Sequence, residues 1–240
     1  MCIRDRPTSV AVTTMQKADR VLTNGAGYEK WLQLVSLSES SIVDTSSAFS
    51  ERLVDLEDTV VHQHGPEGER SDKKKAFVTW LNPELAVAQA RKVADELVNL
   101  APARERDVES AFQELEKELR SIRQDLLAIS PAMQEANLVA ARPVFHYLGQ
   151  ATSSTIRNVE WSMVKEPTPD QWTKLDQMLK EKPAKAMLWP SEPSPATRDG
   201  LMQRGINVIV FEPMGNTPVA GDLISGMRGN IQRLAADLAD

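Results

Sequence analysis

The stretch that most restricts how this chain can fold is residues 107–129. Val108, Phe112, Leu115, Leu119, Ile122, Leu126 and Ile129 succeed one another at steps of 4, 3, 4, 3, 4 and 3, which aligns them along one side of an α-helix. Glu116 and Arg120, four residues apart, fall on the opposite, wet side. At 1.5 Å per residue the helix runs roughly 33 Å, enough to span a whole lobe or to bridge two. Ser130-Pro131 is expected to stop it, because proline lacks the amide hydrogen and crowds the preceding turn.

Helix and strand signals alternate on both sides of this element. Before it, the pattern predicts a helix over 7–17, a strand over 20–23 ended by Asn24-Gly25, a helix over 28–34, and short strands at 42–43 and 59–62. A polar loop over 63–75 ends in Lys73-Lys74-Lys75, read as a solvated tip. A helix then runs from Asn82-Pro83, with Asn82 as N-cap and Pro83 in the first position, to about Leu100. After the long helix come a strand start at 138–139, a helix over 144–148, a strand over 156–161 and a helix over 170–179 capped by Thr168 or Asp170. The chain closes with a buried strand over 186–189, a helix over 196–204 ended by Gly205, a strand over 206–211 and a final helix over 222–238. The fold class is therefore α/β, as two α/β lobes joined by a single long backbone helix. The expected domains are an N-terminal lobe over 1–105, a linker helix over 106–130 and a C-terminal lobe over 131–240.

Composition narrows the function classes. At 240 residues the chain can bury one large core or two small ones. Its 34 acidic residues outnumber 28 basic ones, for a net charge of -6 with no dominant basic stripe, so nucleic acid is not an expected partner. Cys2 stands alone, which excludes an internal disulfide, a Cys-rich zinc finger and an iron-sulfur cluster. No stretch approaches the roughly 18 to 20 apolar residues that cross a bilayer. Residues 1–6 (MCIRDR) have no cap, periodicity or apolar run, and read as a remnant in front of which the natural beginning, with any signal peptide, is missing.

Few residues can carry chemistry. There are three histidines, His62, His64 and His146. His62-Gln63-His64 places two imidazoles on the same side of an extended segment, where both can reach one metal ion, with Glu67, Glu69 and Asp72 close behind. The alternative is a solvated polar loop that binds nothing specific. Carboxylate pairs such as Glu67 and Glu69 have no apolar pocket to tune them. No GxSxG, P-loop or GxGxxG is present, and Gly25-Ala26-Gly27 reads as a tight strand-to-helix turn. The five tryptophans are spread along the chain, which suits core packing better than a stacking platform. These readings give enzymatic activity no positive support.

Five phrases in order resemble one family. They are Ala18-Asp19 through Asn24-Gly25-Ala26-Gly27-Tyr28-Glu29 and Trp31-Leu32; His62-Gln63-His64-Gly65-Pro66-Glu67-Gly68; Trp80-Leu81-Asn82-Pro83; Pro143-Val144-Phe145 with Tyr147; and Phe211-Glu212-Pro213-Met214-Gly215-Asn216. Together they are similar to the solute-binding receptors of zinc and manganese ABC importers, from Pro7 to the last helix. The resemblance implies two α/β lobes on a rigid connecting helix, Zn2+ or Mn2+ as the transported ligand, a membrane ABC permease as partner, a monomeric state, and a periplasmic or cell-surface location.

It also implies a ligand set that this chain only partly keeps. The first ligand histidine of the family would precede Pro7. The second corresponds to Val78 and the third to Arg142, while the acidic fourth survives as Glu212. Valine offers no lone pair, and a guanidinium repels a divalent cation and attracts an anion. The expected metal ligands are therefore Glu212, His62, His64 and His146, the last lying four residues after Arg142 and so on the same helical face. The resemblance thus implies a binding protein and not an enzyme; an Arg142–Glu212 salt bridge in place of a metal, the same fold binding a non-metal or chelated ligand, and an uncharacterised α/β enzyme are the alternatives.

Overall fold

The computed structural model describes residues 7–56, 74–216, 218 and 221–239. These divide into two compact units. The first takes the described residues up to Thr79 together with Leu85–Glu114; the second takes Trp80–Glu84 and the described residues from Leu115 onward.

In the first unit, α1 (Ser9–Gln16) is capped by the Thr8 hydroxyl, which accepts from the Ala11 amide at 3.2 Å. Strands β1 (Val21–Thr23) and β2 (Ile42–Asp44) pair in parallel, Val21 opposite Ile42 and Thr23 opposite Asp44. The segment expected as a helix over 28–34 is a 3-10 helix, Lys30–Leu34. Helix α2 (Pro83–Leu100) starts where the proline signal puts it, and the Asn82 side chain accepts from the Glu84 amide at 3.1 Å. Lys75 is not at a loop tip: it forms an antiparallel bridge with Asp55, and their side chains make an ion pair. The strand expected over 59–62 lies outside the described residues.

Helix α3 (Glu105–Ala136) is 32 residues long, about 48 Å at the α-helical rise, and runs from the first unit into the second. Phe112, Leu119, Ile122 and Leu126 are buried as the periodicity predicts, whereas Leu115 is exposed. Pro131 does not stop the helix. An interior proline costs about 3 kcal/mol, but Met133 and Ala136, at steps of 4 and 3 after Ile129, are fully buried. Burial of one methionine side chain contributes about 1.5–3 kcal/mol, comparable to that cost. The Ser130 hydroxyl and the Gln134 amide both donate to the Thr152 carbonyl and hold the last turns in place.

The second unit is built on a four-stranded, all-parallel sheet in the order β4-β3-β5-β6, comprising β3 (Val139–Ala140), β4 (Arg157–Asn158), β5 (Ala186–Trp189) and β6 (Asn207–Val210). The crossovers are α4 (His146–Thr152), α5 (Pro169–Glu181) and α6 (Pro195–Met202), and α7 (Leu223–Ala239) follows β6. Capping decides the helix starts. Thr168 and Gln171 form a reciprocal capping box on α5, and Ser194 caps α6. Gly205, at φ +71°, lets the chain turn back after α6.

β5 is buried along its whole length, as a strand covered on both faces must be. Val139, Met187, Trp189 and Val208 share one face with Leu175 of α5 and Leu201 of α6. Trp161 packs edge-on against Trp172 and Trp189, at 4.8 and 6.1 Å between centroids, so three tryptophans scattered in the sequence meet in one core.

Leu126→Ala should lower the unfolding free energy by about 2–5 kcal/mol, and Leu127→Ala, one residue on but exposed, by less than about 1 kcal/mol. Urea denaturation of the two variants checks the burial assignment; equal losses would contradict it.

Candidate functional site

The Asn24–Glu29 phrase is a structural hub of the first unit. Gly25, Ala26 and Gly27 all have positive φ, at 78°, 50° and 75°. A side chain on Gly25 would collide with Asp44 and Ser46. The Glu29 carboxylate accepts the Asn24 and Gly25 amides at 2.7 and 3.1 Å, and the Ser46 hydroxyl accepts the Ala26 amide at 3.0 Å. Gln89 of α2 donates to the Asn24 carbonyl and to the Thr45 hydroxyl, and accepts from Thr79. Asn24 in turn donates to the Phe77 carbonyl at 3.0 Å. Burial raises the Glu29 pKa, opposed by the amides it accepts. Val78 lies between two residues tied to this hub and is itself buried, a packing position in the first unit.

The second unit has a site dictated by topology. All four strands are parallel, so the loops after their carboxyl ends emerge at one edge. β3 has β4 on one side and β5 on the other, which makes β3/β5 the point where the strand order reverses; in open α/β sheets the ligand crevice opens outside such a point. Arg142 follows β3 there. It is exposed, its Nη1 reaches the Trp161 carbonyl at 3.4 Å, and no carboxylate pairs with it among the described residues. Glu212 follows β6 at the same edge.

Glu212 stands on a turn held by α7 and by Trp80, both in this unit. The side chain of Asn230, fully buried in α7, accepts the Glu212 amide at 3.1 Å and donates to its carbonyl at 2.7 Å. The Trp80 indole donates to the Pro213 carbonyl at 2.7 Å. Met214, at φ +54°, lays its side chain over Gly226, where a Cβ would come within 2.2 Å of the methionine methyl. The Glu212 carboxylate is exposed and makes no hydrogen bond or ion pair among the described residues. Glu212 and Arg233 line both a groove of about 560 Å³ beside β6 and one of about 430 Å³ beside the turn.

Of the other expected ligands, His146 opens α4 in the second unit. Its Nδ1 is buried without a hydrogen bond of acceptable geometry; burial pushes the imidazole below the ordinary 6.5, the Pro143 main chain opposing. His62 and His64 lie outside the described residues. Among the described residues, no group of three or more His, Cys, Asp or Glu side chains is placed to hold a metal ion. Arg142 and Glu212 do not form the salt bridge offered as an alternative.

The family model for zinc-uptake complex component A, periplasmic, matches residues 6–237. The chain belongs to this family. Members are transport components, so the chain is a binding protein and not an enzyme. A search of curated protein sequences gives no match. Among solved structures, the metal-dependent lipoprotein YcdH of Bacillus subtilis aligns at 18% identity with a TM-score of 0.77, over 96% of this chain and 84% of that one. A mutant of the laminin-binding adhesin Lmb of Streptococcus agalactiae aligns at 18% and 0.73, over 97% and 85%. Zn(II)-bound AdcA of Streptococcus pneumoniae aligns at 17% and 0.73, over 98% and 50%. At these identities the likeness shows the fold, an α/β fold of the kind these proteins have.

Sequence reasoning missed Gln89, Asn230 and Arg233. For Gln89 and Asn230 the available signal was an amide on the apolar side of a helix, a position that demands a polar partner; exposed Arg233 carried no such signal. Gln89→Leu should destabilise the protein by about 1–3 kcal/mol, because it leaves buried donors and acceptors unpaired; denaturant titration checks this. His146 sets a pH dependence. Its folded pKa lies below the unfolded value, so its contribution to stability is intact above pH 6.5 and is lost as pH falls through the folded value. The wild-type urea midpoint should decline on acidification below that pH, and the decline should be smaller in His146→Gln.

Proposed function

We propose that this chain is the extracytoplasmic solute-binding component of a zinc/manganese-type ABC importer, taking a divalent metal ion as substrate and passing it to a membrane permease. Glu212 carries this reading: a carboxylate without a hydrogen-bond or ion-pair partner among the described residues, on a braced turn at the sheet edge where α/β proteins bind ligands. Family membership over residues 6–237 supports the transport role, and the Zn(II)-bound state of AdcA supports zinc over other cations. Borderline ions of this kind accept carboxylate oxygen and imidazole nitrogen, so Glu212 acts with His146, His62 and His64 as the proposed ligand set. The family description supports a periplasmic location, the lipoprotein YcdH supports a cell-surface one, and the protein is proposed to act as a monomer.

Arg142 favours a second reading, in which the metal arrives with an anionic chelator or the substrate is itself an anion. A guanidinium that has no carboxylate partner among the described residues, at the β3/β5 switch point, suits a carboxylate on the substrate better than a bare cation.

Titration with Zn2+ and Mn2+ should give a Kd below about 1 μM, equivalent to about 8 kcal/mol, and Glu212→Gln should weaken it. No binding at that level overturns the bare-ion reading. Substituting His62 and His64 by alanine should weaken zinc binding; unchanged affinity removes that pair from the ligand set. Tighter binding of zinc citrate than of Zn2+, lost in Arg142→Gln, establishes the second reading in its place.

A further inference from the structure

The geometry points to Asn230 as the residue that positions Glu212 for its substrate, with Arg233 fixing the orientation of Asn230. This rests on the reading of Glu212 as a metal ligand and adds a layer beneath it.

A carboxamide has the same donor and acceptor pair as a peptide group. Asn230 uses both on a single residue: Nδ2 donates to the Glu212 carbonyl at 2.7 Å and Oδ1 accepts the Glu212 amide at 3.1 Å. The two bonds close a ring and fix the Glu212 main chain in rotation as well as in distance. One bond alone would leave a hinge. Asn230 is fully buried, so water does not compete for these groups.

Arg233, three residues further along α7, removes the remaining freedom. Its Nη2 donates to Asn230 Oδ1 at 2.5 Å and its Nε to the Val210 carbonyl at 3.2 Å. A flipped carboxamide would turn its NH2 toward both the guanidinium and the Glu212 amide, setting donor against donor twice, so only one orientation is compatible with the surroundings. Arg233 thereby ties the end of β6 to the same residue that holds the turn after it. The Glu212 carboxylate makes no hydrogen bond or ion pair among the described residues, so the main chain is fixed while the side chain stays available. A ligand held this way loses little freedom on binding a cation, the condition for a preorganised site. A tether serving only the fold could use apolar packing at this position, as Ile231 and Leu234 do on the same helix.

The test is a double-substitution cycle in the full chain, read as Zn2+ affinity by competition with a chromogenic chelator, with melting curves of the zinc-free proteins alongside. Asn230→Ala should weaken Zn2+ binding at least tenfold. Asn230→Asp, which keeps the acceptor but loses the donor, should fall between it and the wild type. Combining Asn230→Ala with Glu212→Gln should weaken binding no further than Glu212→Gln alone, because Asn230 acts only through Glu212. Should Asn230→Ala fail to melt cooperatively, Asn230→Asp and Arg233→Met, alone and with Glu212→Gln, complete the cycle. Losses that add in full, or affinities within twofold of wild type in all Asn230 and Arg233 variants, overturn the proposal while leaving Glu212 as a ligand. Wild-type affinity in Glu212→Gln overturns the ligand reading itself, and this inference with it.

Discussion

Everything placed at the candidate site of the second unit depends on the all-parallel pairing of β4, β3, β5 and β6. A parallel strand cannot be followed directly by its neighbour; each needs a crossover that returns the chain to the same starting edge. The carboxyl ends of the strands therefore all emerge together, and Arg142 and Glu212, far apart in the chain, come out at one edge. The same crossovers cover β5 on both faces, which is why it reads as an unbroken apolar run and why Trp161 and Trp172 pack at its end, Trp161 against Trp172 and against Trp189 of the strand.

Polar groups in this protein are used chiefly to hold turns. In the first unit Gln89 and Glu29 satisfy the main chain of residues 23–29, where three successive positive φ values leave amides that no strand or helix can pair. In the second unit Asn230 and Trp80 do the same for the Glu212 turn. The two arrangements differ in what they present. The first encloses its carboxylate, Glu29, and spends it on backbone amides. The second leaves its carboxylate, Glu212, exposed and without a hydrogen-bond or ion-pair partner among the described residues.

The family relation and the chemistry of this chain diverge at particular residues. Val78 is a buried packing residue, and Arg142 puts positive charge at the switch point. Neither side chain offers a metal donor at a position where the resemblance implies histidine, whereas Glu212 is a carboxylate on a braced turn. This combination of an exposed carboxylate with an exposed guanidinium is what the second proposed reading, a metal held by an anionic chelator, rests on.

The sequence by itself determined the elements whose signals are local. The 3.6-residue stripe of α3, the proline start of α2, the Thr168 cap of α5 and the glycine ends at Gly25 and Gly205 were legible because each depends on residues within one or two turns of chain. The α/β class followed from the alternation, and the family phrases followed from order along the chain. Only the tertiary structure decided the rest. Helix α3 passes Pro131 because Met133 and Ala136 find a core that lies elsewhere in the sequence. The 3-10 geometry of Lys30–Leu34, the Asp55–Lys75 bridge and the meeting of three tryptophans likewise depend on distant partners. Asn230 is the sharpest case: an asparagine in the middle of a helix has no local role, and its use appears only once α7 lies against the end of β6 and its carboxamide meets the Glu212 peptide 18 residues back. Hydrogen bonds between remote segments leave no periodic trace in a sequence, so the carboxylate could be read from the phrase around it and the clamp that holds it could not.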